Sequence, residues 1–284
     1  MEEINKYVGI KPAWCPGCGN FGILRAVQKA IAELDLEPYQ VLMVSGIGQA
    51  GKLPHYTRSN ILNELHGRPI PAAIGAKIAN PELVVLAISG DGDAYGEGGN
   101  HWLHAMRRNH DITYLVHNNQ IYGLTKGQAS PSSDYGFVTK TTPEGAPHPL
   151  NPIALAIASD VSFVARSFAG DPDHLSSIIK LGIQHKGFAL IDILQPCVTF
   201  NHKNTYSWYQ ERIYKLEDGN GYKPDDKIAA FIKAQEWEDR IPIGVFYRKS
   251  RPVFEEQLFA LKNGPLTKQN INPLQIEQFL SEFA

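Results

Sequence analysis

Residues Gly90 to Gln128 read GDGDAYGEGGNHWLHAMRRNHDITYLVHNNQIYGLTKGQ. The stretch opens with Gly90-Asp91-Gly92 at the end of the apolar run Leu83–Ser89. A second apolar run, Ile112–Val116, leads into Asn118-Asn119. Two parallel strands ending side by side would bring this acid and this amide together at the carboxyl edge of one sheet. That edge is where open α/β sheets bind ligands. An oxygen-only pair beside glycine backbone suits Mg²⁺ holding a diphosphate, because magnesium takes hard, octahedral oxygen ligands and commonly shares them with phosphates.

The rest of the chain continues the alternation. Val41–Ser45, Val161–Arg166 and Phe188–Leu194 are further β-branched or apolar runs short enough for buried parallel strands. Between the runs lie helical stretches: Asn20–Leu34, Pro71–Ala79, His101–Arg108, Pro152–Ser159 and Pro172–His185. Pro38, Pro81, Asp111 and Gly187 punctuate them. Strands alternating with helices predict an α/β fold with a doubly wound, mostly parallel sheet. Thr125–Pro149 breaks the pattern, being rich in Gly, Ser, Thr and Pro; a loop this long in a compact domain is usually functional or mobile. After Leu216 the chain turns polar over Glu217–Asp226. One amphipathic helix follows at Lys227–Trp237, then irregular pieces and a last helix near Pro273–Phe283. The expected division is a body over 1–216 and a C-terminal extension over 217–284 that caps the body or contacts a partner.

At 284 residues and 43% hydrophobic, the chain can bury a substantial core. A formal charge of −2 provides no basic stripe for nucleic acid, and no run of like charge suggests a membrane surface. No apolar stretch is long enough to span a bilayer, and the start MEEINKYVGIKP does not read as a signal peptide. Three cysteines, an odd number, argue against a disulfide framework and for a reducing cytoplasm.

A GDG followed, after one helix and one strand, by NN resembles the cofactor signature of the thiamine diphosphate enzymes. The wider wording GDGD…GGNH…H..RRN…NNQIYGLTKGQ.SP is similar to the β subunits of the 2-oxoacid:ferredoxin oxidoreductases, relatives of pyruvate synthase and 2-oxoglutarate synthase. The likeness runs from Trp14 to about Leu216. It implies a thiamine diphosphate-binding fold in which Asp91 and Asn119 supply side-chain oxygens to Mg²⁺ and Ile121 its backbone carbonyl. It also implies cofactor contacts from Ile47, Gly48, Gln49 and Ala50, from His66 in Leu65-His66-Gly67-Arg68, and from Gly123-Leu124. The residue types agree. Gly90 and Gly92 would let the backbone approach phosphates, and Gly98-Gly99 precede a helix whose free N–H groups favour an anion.

Several residues keep two readings. Asp93 is a cofactor contact or a solvated turn acid, and His66 a cofactor contact or a structural hydrogen-bonder. Lys52 and Lys126 would hold the carboxylate of an acidic substrate as point charges, or are solvated loop lysines. Arg107-Arg108 sit late on a helix, where they would serve its C-terminus or a salt bridge rather than the substrate. The run Tyr206-Ser207-Trp208-Tyr209 is a contact between subunits or core.

Trp14-Cys15-Pro16-Gly17-Cys18-Gly19 is a CxxC before a helix, and Cys197 follows the last core strand. By residue type this is a structural zinc site, a redox dithiol or a cluster corner. The resemblance implies a [4Fe-4S] cluster on Cys15, Cys18, Cys197 and one more cysteine. Such clusters normally take four thiolates. Here Gln49 stands where many relatives have the fourth. The implied activity is oxidative decarboxylation of a 2-oxoacid with coenzyme A, electrons passing to ferredoxin. A partner α subunit would carry the pyrimidine-binding half of the site. The rivals are a non-redox thiamine decarboxylase or ligase, and a non-catalytic iron–sulfur or zinc scaffold. No residue specifies the acid's side chain.

Overall fold

The computed structural model describes residues 2–219, 221–270, 276 and 280–281. Ten strands occur among them: β1 (Val41–Ser45), β2 (Asn60–Asn63), β3 (Val84–Gly90), β4 (Thr113–Asn118), β5 (Ile121–Tyr122), β6 (Gln128–Ala129), β7 (Phe163–Phe168), β8 (Ala189–Leu194), β9 (Ile213–Lys215) and β10 (Ile241–Arg248). Eight form one sheet in the order β2-β1-β3-β4-β8-β7-β10-β9; β5 and β6 make a small antiparallel hairpin. From β2 to β7 every neighbour is parallel, while β10 joins β7 antiparallel and β9 lies parallel to β10. The expected mostly parallel α/β sheet is present.

Strand side chains alternate between the two faces, and both faces are covered. Val85, Ala87, Tyr114, Val116, Val164 and Leu190 pack with helices Gly99–Arg108 and Pro152–Ala158. Leu86, Ile88, Leu115, Ala165 and Ile191 pack with helices Asn20–Glu33 and Pro172–Gln184. Two-sided burial explains why the central strands read as continuous apolar runs. Side-chain caps set helix starts: Asp171 accepts from the His174 N–H and Asn151 from the Ala154 N–H, each with proline next in sequence. Helix Gly99–Arg108 stops at Asn109, left-handed at φ +60°, with Arg107 and Arg108 in its last turn as the sequence suggests.

The differences from expectation have local causes. Helix Pro69–Ala79 starts two residues early, because Pro69 is tolerated in a first turn. Helix Lys227–Ala234 ends three residues before Trp237. Strand β2 reads Asn60-Ile61-Leu62-Asn63 and is exposed throughout, an edge strand whose two apolar residues are too few to mark it in the sequence. Beyond Leu216 the chain returns to the sheet through β10, whose Phe246 is fully buried in the core. The helix expected near Pro273–Phe283 lies largely outside the described residues.

Candidate cofactor and cysteine clefts

Strands β3 and β4 are adjacent, Gly90 pairing with His117, so their carboxyl ends meet as the motif requires. Just past β3, Asp91 is 1% exposed. Its Oδ2 accepts hydroxyl hydrogen bonds from Ser130 at 2.5 Å and Ser132 at 2.6 Å. The Ser132 hydroxyl also lies 2.8 Å from Asn118 Oδ1, and its one proton is shared between the two acceptors. Asp91 Oδ1 is buried with no hydrogen-bond partner among the described residues. Burial pushes this carboxyl up to about 6, against the pull of the two serines. A buried carboxylate oxygen left bare is costly, and a divalent cation on it would hold the group ionised.

The cleft beside Asp91 is lined by Asn119, Ile121, Gly123 and Leu124 from the β4 side. Ile47, Gly48, Gln49, Ala50 and His66 line it from the β1 side, with Gly90, Gly92 and Asp93 at its base. All thirteen residues singled out for the cofactor and Mg²⁺, with Asp91 among them, thus line one cavity. Asn119 Oδ1 accepts from the Ile121 N–H at 3.1 Å, tightening the turn after β4. Gly48 has φ +131° and open space where a side chain would go, leaving that wall free for a ligand. Gly92 is glycine for another reason: a Cβ there would stand 2.2 Å from the Tyr122 ring.

Asp93 is not a solvated turn acid. It is 2% exposed and accepts from Ser89 Oγ at 2.5 Å, the Ile47 N–H at 3.2 Å and the Gly67 N–H at 2.7 Å. His66 Nδ1 lies 2.8 Å from Asp93 Oδ1 without hydrogen-bond alignment, and 3.5 Å from Glu97. Asp93 therefore ties three segments of the cleft together. Lys52 and Lys126 are not brought into this cavity. Lys52 sits half-buried in a 3₁₀ segment, and Lys126 is exposed at φ +77° beside an open groove with Val138 and Phe200.

The three cysteines line a neighbouring cleft with Trp14, Asn20, Gln49 and Gln195. The Gly19 N–H bonds the Pro196 carbonyl at 3.2 Å, which docks the CxxC turn beside Cys197. Cys18 is pushed up to about 11 by burial, with the other two thiols adding to the effect, and its sulfur accepts from Gln195 Nε2 at 3.4 Å. Among the described residues no three His, Cys, Asp or Glu side chains converge on one ion. Gln49, Asn119 and Gly123 line both clefts, so the cysteine cavity and the Asp91 cavity share a wall.

Sequence reading missed Ser130 and Ser132, which belong to the loop judged irregular. Their signals were the Ser130-Pro131 that closes the resembled wording, to which no role was given, and the run Ser130-Pro131-Ser132-Ser133, whose three serines are all buried. It also missed Tyr122, which lines the cleft and whose hydroxyl donates to Glu97 Oε2 at 3.2 Å.

Comparison with known proteins agrees with this geometry. Residues 43–193 match the thiamine pyrophosphate enzyme, C-terminal TPP binding domain family, and residues 197–263 match the C-terminal family of the pyruvate ferredoxin oxidoreductase β subunits. The 2-oxoacid:ferredoxin oxidoreductase subunit β of Saccharolobus solfataricus is 50% identical over 87% of this chain and 85% of its own length. The 2-oxoglutarate synthase subunit KorB of Methanocaldococcus jannaschii is 37% identical over 87% of this chain and 92% of its own. A solved 2-oxoglutarate:ferredoxin oxidoreductase from Magnetococcus marinus, with 2-oxoglutarate, coenzyme A and succinyl-CoA bound, superposes with a TM-score of 0.90 at 34% identity, covering 99% of this chain and 96% of that one. The chain belongs to the β subunits of the 2-oxoacid:ferredoxin oxidoreductases, oxidoreductases built on a thiamine pyrophosphate-binding domain.

Proposed function

We propose that this chain is the diphosphate-binding subunit of a complex that converts a 2-oxoacid and coenzyme A to acyl-CoA and CO₂, reducing ferredoxin. The observation that carries it is Asp91, which lines a cavity walled by Asn119, Ile121 and the Gly48 turn and whose buried Oδ1 has no hydrogen-bond partner among the described residues. Asp91, Asn119 and the Ile121 carbonyl would hold Mg²⁺, leaving positions for diphosphate oxygens and water. Thiamine diphosphate, when bound, accepts the electron pair freed as CO₂ leaves. This chain's part is to hold the diphosphate, with Ser130 and Ser132 orienting Asp91, and Asp93 fixing the Ile47 and Gly67 backbone around it. An α subunit with the pyrimidine-binding half would complete the site.

For the iron–sulfur centre this chain offers Cys15, Cys18 and Cys197 in one cleft sharing a wall with the thiamine cavity. The fourth ligand is not a cysteine of this chain, which has three; Gln49 lines the corresponding wall. Among substrates, 2-oxoglutarate is favoured by the molecule bound in the Magnetococcus relative. Lys52 and Lys126 stay candidates for its carboxylate only if the partner subunit folds their loops inward. Among the described residues no helix is long and apolar enough to cross a membrane; with reduced thiols, we place the complex in the cytoplasm.

Calorimetric titration of the purified complex with thiamine diphosphate and Mg²⁺ tests the reading, with Asp91→Ala in parallel. Affinity is expected to fall in the variant by more than the roughly 10–100-fold typical for loss of a group that only orients a metal ligand. Equal binding by both proteins would overturn it. Acyl-CoA formation from a panel of 2-oxoacids with a viologen acceptor identifies the substrate.

A further inference from the structure

Behind the turn Asn118–Ile121 lies another cavity of about 280 Å³, lined by Gln120, Ser132, Arg166, Ala234 and Trp237 among others. It shares no lining residue with the Asp91 cleft or the cysteine cleft. The turn thus presents Asn119 to the cofactor cleft, and Asn118 and Gln120 to this second space. Gln120 is left-handed at φ +60°, a conformation uncommon for a residue with a side chain.

Two residues lining this cavity each carry a buried polar atom without a hydrogen-bond partner among the described residues. Arg166 is 3% exposed; its Nε donates to Asp192 Oδ2 at 3.0 Å, but Nη1 is buried with no partner among the described residues. Gln120 is 2% exposed and its Oε1 is likewise buried and bare. The acids nearby are already paired. Asp192 holds Arg166, Tyr95 and Asn118, while Asp134 takes Lys203 at 2.8 Å and Trp237 Nε1 at 3.0 Å. The guanidinium carbon stands 5.3 Å from the Trp237 ring, so the cation is held against an aromatic wall with part of its donor fork unused. An unused guanidinium fork matches a carboxylate in shape and charge. A concave, largely apolar space with a few convergent polar groups is the usual form of a small-molecule site.

We propose that this cavity binds a small organic acid, its carboxylate on Arg166 and its apolar body against Trp237, Leu150 and Ala234. A hydroxyl or N–H on that molecule would satisfy Gln120. The proposal does not rest on the thiamine reading, since the two cavities are separate.

Benzoate is the probe, titrated calorimetrically into the purified complex saturated with thiamine diphosphate and Mg²⁺, with benzamide as the uncharged control. Saturable binding of one benzoate per chain is expected, with benzamide at least about ten-fold weaker if Arg166 reads the charge. Arg166→Met leaves Asp192 buried without its cation and can fail to fold, so Ala234→Leu is the deciding variant. It fills the space without touching the ion pair, and should weaken benzoate at least about ten-fold. The proposal is overturned by absence of saturable binding, by benzamide binding as well as benzoate, or by Ala234→Leu leaving affinity unchanged. A crystal of the complex soaked in benzoate that shows only ordered water beside Arg166 also overturns it.

Discussion

Asp91 and Asp93 sit two residues apart on one turn, and their surroundings give them different work. Asp93 is saturated by two backbone N–H groups and a serine hydroxyl, so it organises loops. Asp91 has one oxygen held by serines and the other bare. Groups that orient a metal ligand from behind typically carry 10–100-fold of metal affinity. Ser132→Ala is therefore expected to weaken Mg²⁺-dependent thiamine diphosphate binding about ten-fold or more in calorimetry, with Ser132→Thr recovering most of it. Unchanged affinity in the alanine variant would make the serine pair merely structural. The Asp91 and Asn119 positions were legible because spacing along two apolar runs determines where strand tips meet. The serines were not, since they lie 39 and 41 residues from Asp91 and reach it only when the loop folds over.

Among the elements, helix Pro172–Gln184 carries a pH dependence. His174 lies between Ser167 Oγ at 2.9 Å and Glu217 Oε1 at 2.9 Å, and His185, its C-cap, contacts Ser162 Oγ at 2.8 Å. Burial lowers both imidazoles below their ordinary range, with Glu217 opposing at His174. In the unfolded chain they protonate near 6.5; in the fold they resist. Between the lowered folded values and 6.5 the unfolded state binds more protons, so stability rises with pH there. Their contribution is full above about pH 6.5 and fades as pH falls through the window below it. Thermal unfolding of His174→Gln/His185→Gln at pH 7.5 and pH 5.5 should show a smaller loss on acidification than the parent. An equal or larger loss would contradict this. The central strands were recognisable because burial on both faces leaves continuous apolar runs. Strand β10 was not, although IPIGVFYR is apolar, because Pro242 and Gly244 argue against a sheet interior. It tolerates both: Pro242 lies in the part paired with β9, Gly244 takes φ +119°, and the register with β7 shifts between Val245 and Tyr247.

For the whole molecule, β10 covers the β7 edge, and Ala230, Ala234 and Phe246 complete one face of the core. A chain ending at Leu216 would expose that edge and leave the Phe246 position empty. Exposed strand edges template association, so the truncated chain is expected to aggregate, while the full chain stays in solution under the same conditions. Size-exclusion chromatography decides; a monodisperse truncated chain with native circular dichroism would show that the tail is dispensable for folding. The ion pair of Arg166 on β7 with Asp192 on β8 sits at the same end of the sheet as the cofactor turn, through Asn118 Nδ2 on Asp192 at 3.0 Å. Breaking one partner of such a buried pair typically costs about 3–5 kcal/mol, which is why cavity filling rather than charge removal probes the neighbouring space.

Local sequence alone determined the parallel α/β sheet, the two strand tips that carry Asp91 and Asn119, the helix caps, and the three thiols. Each of these follows from periodicity, capping chemistry or motif spacing, which act over a few residues. Tertiary structure alone decided that Ser130 and Ser132 close on Asp91, that Cys15 and Cys18 dock beside Cys197, that Lys52 and Lys126 stay outside the cofactor cleft, and that Arg166 and Gln120 share a cavity behind it. Those outcomes depend on which distant segments the packed sheet brings within hydrogen-bond reach, and no short-range pattern encodes that distance.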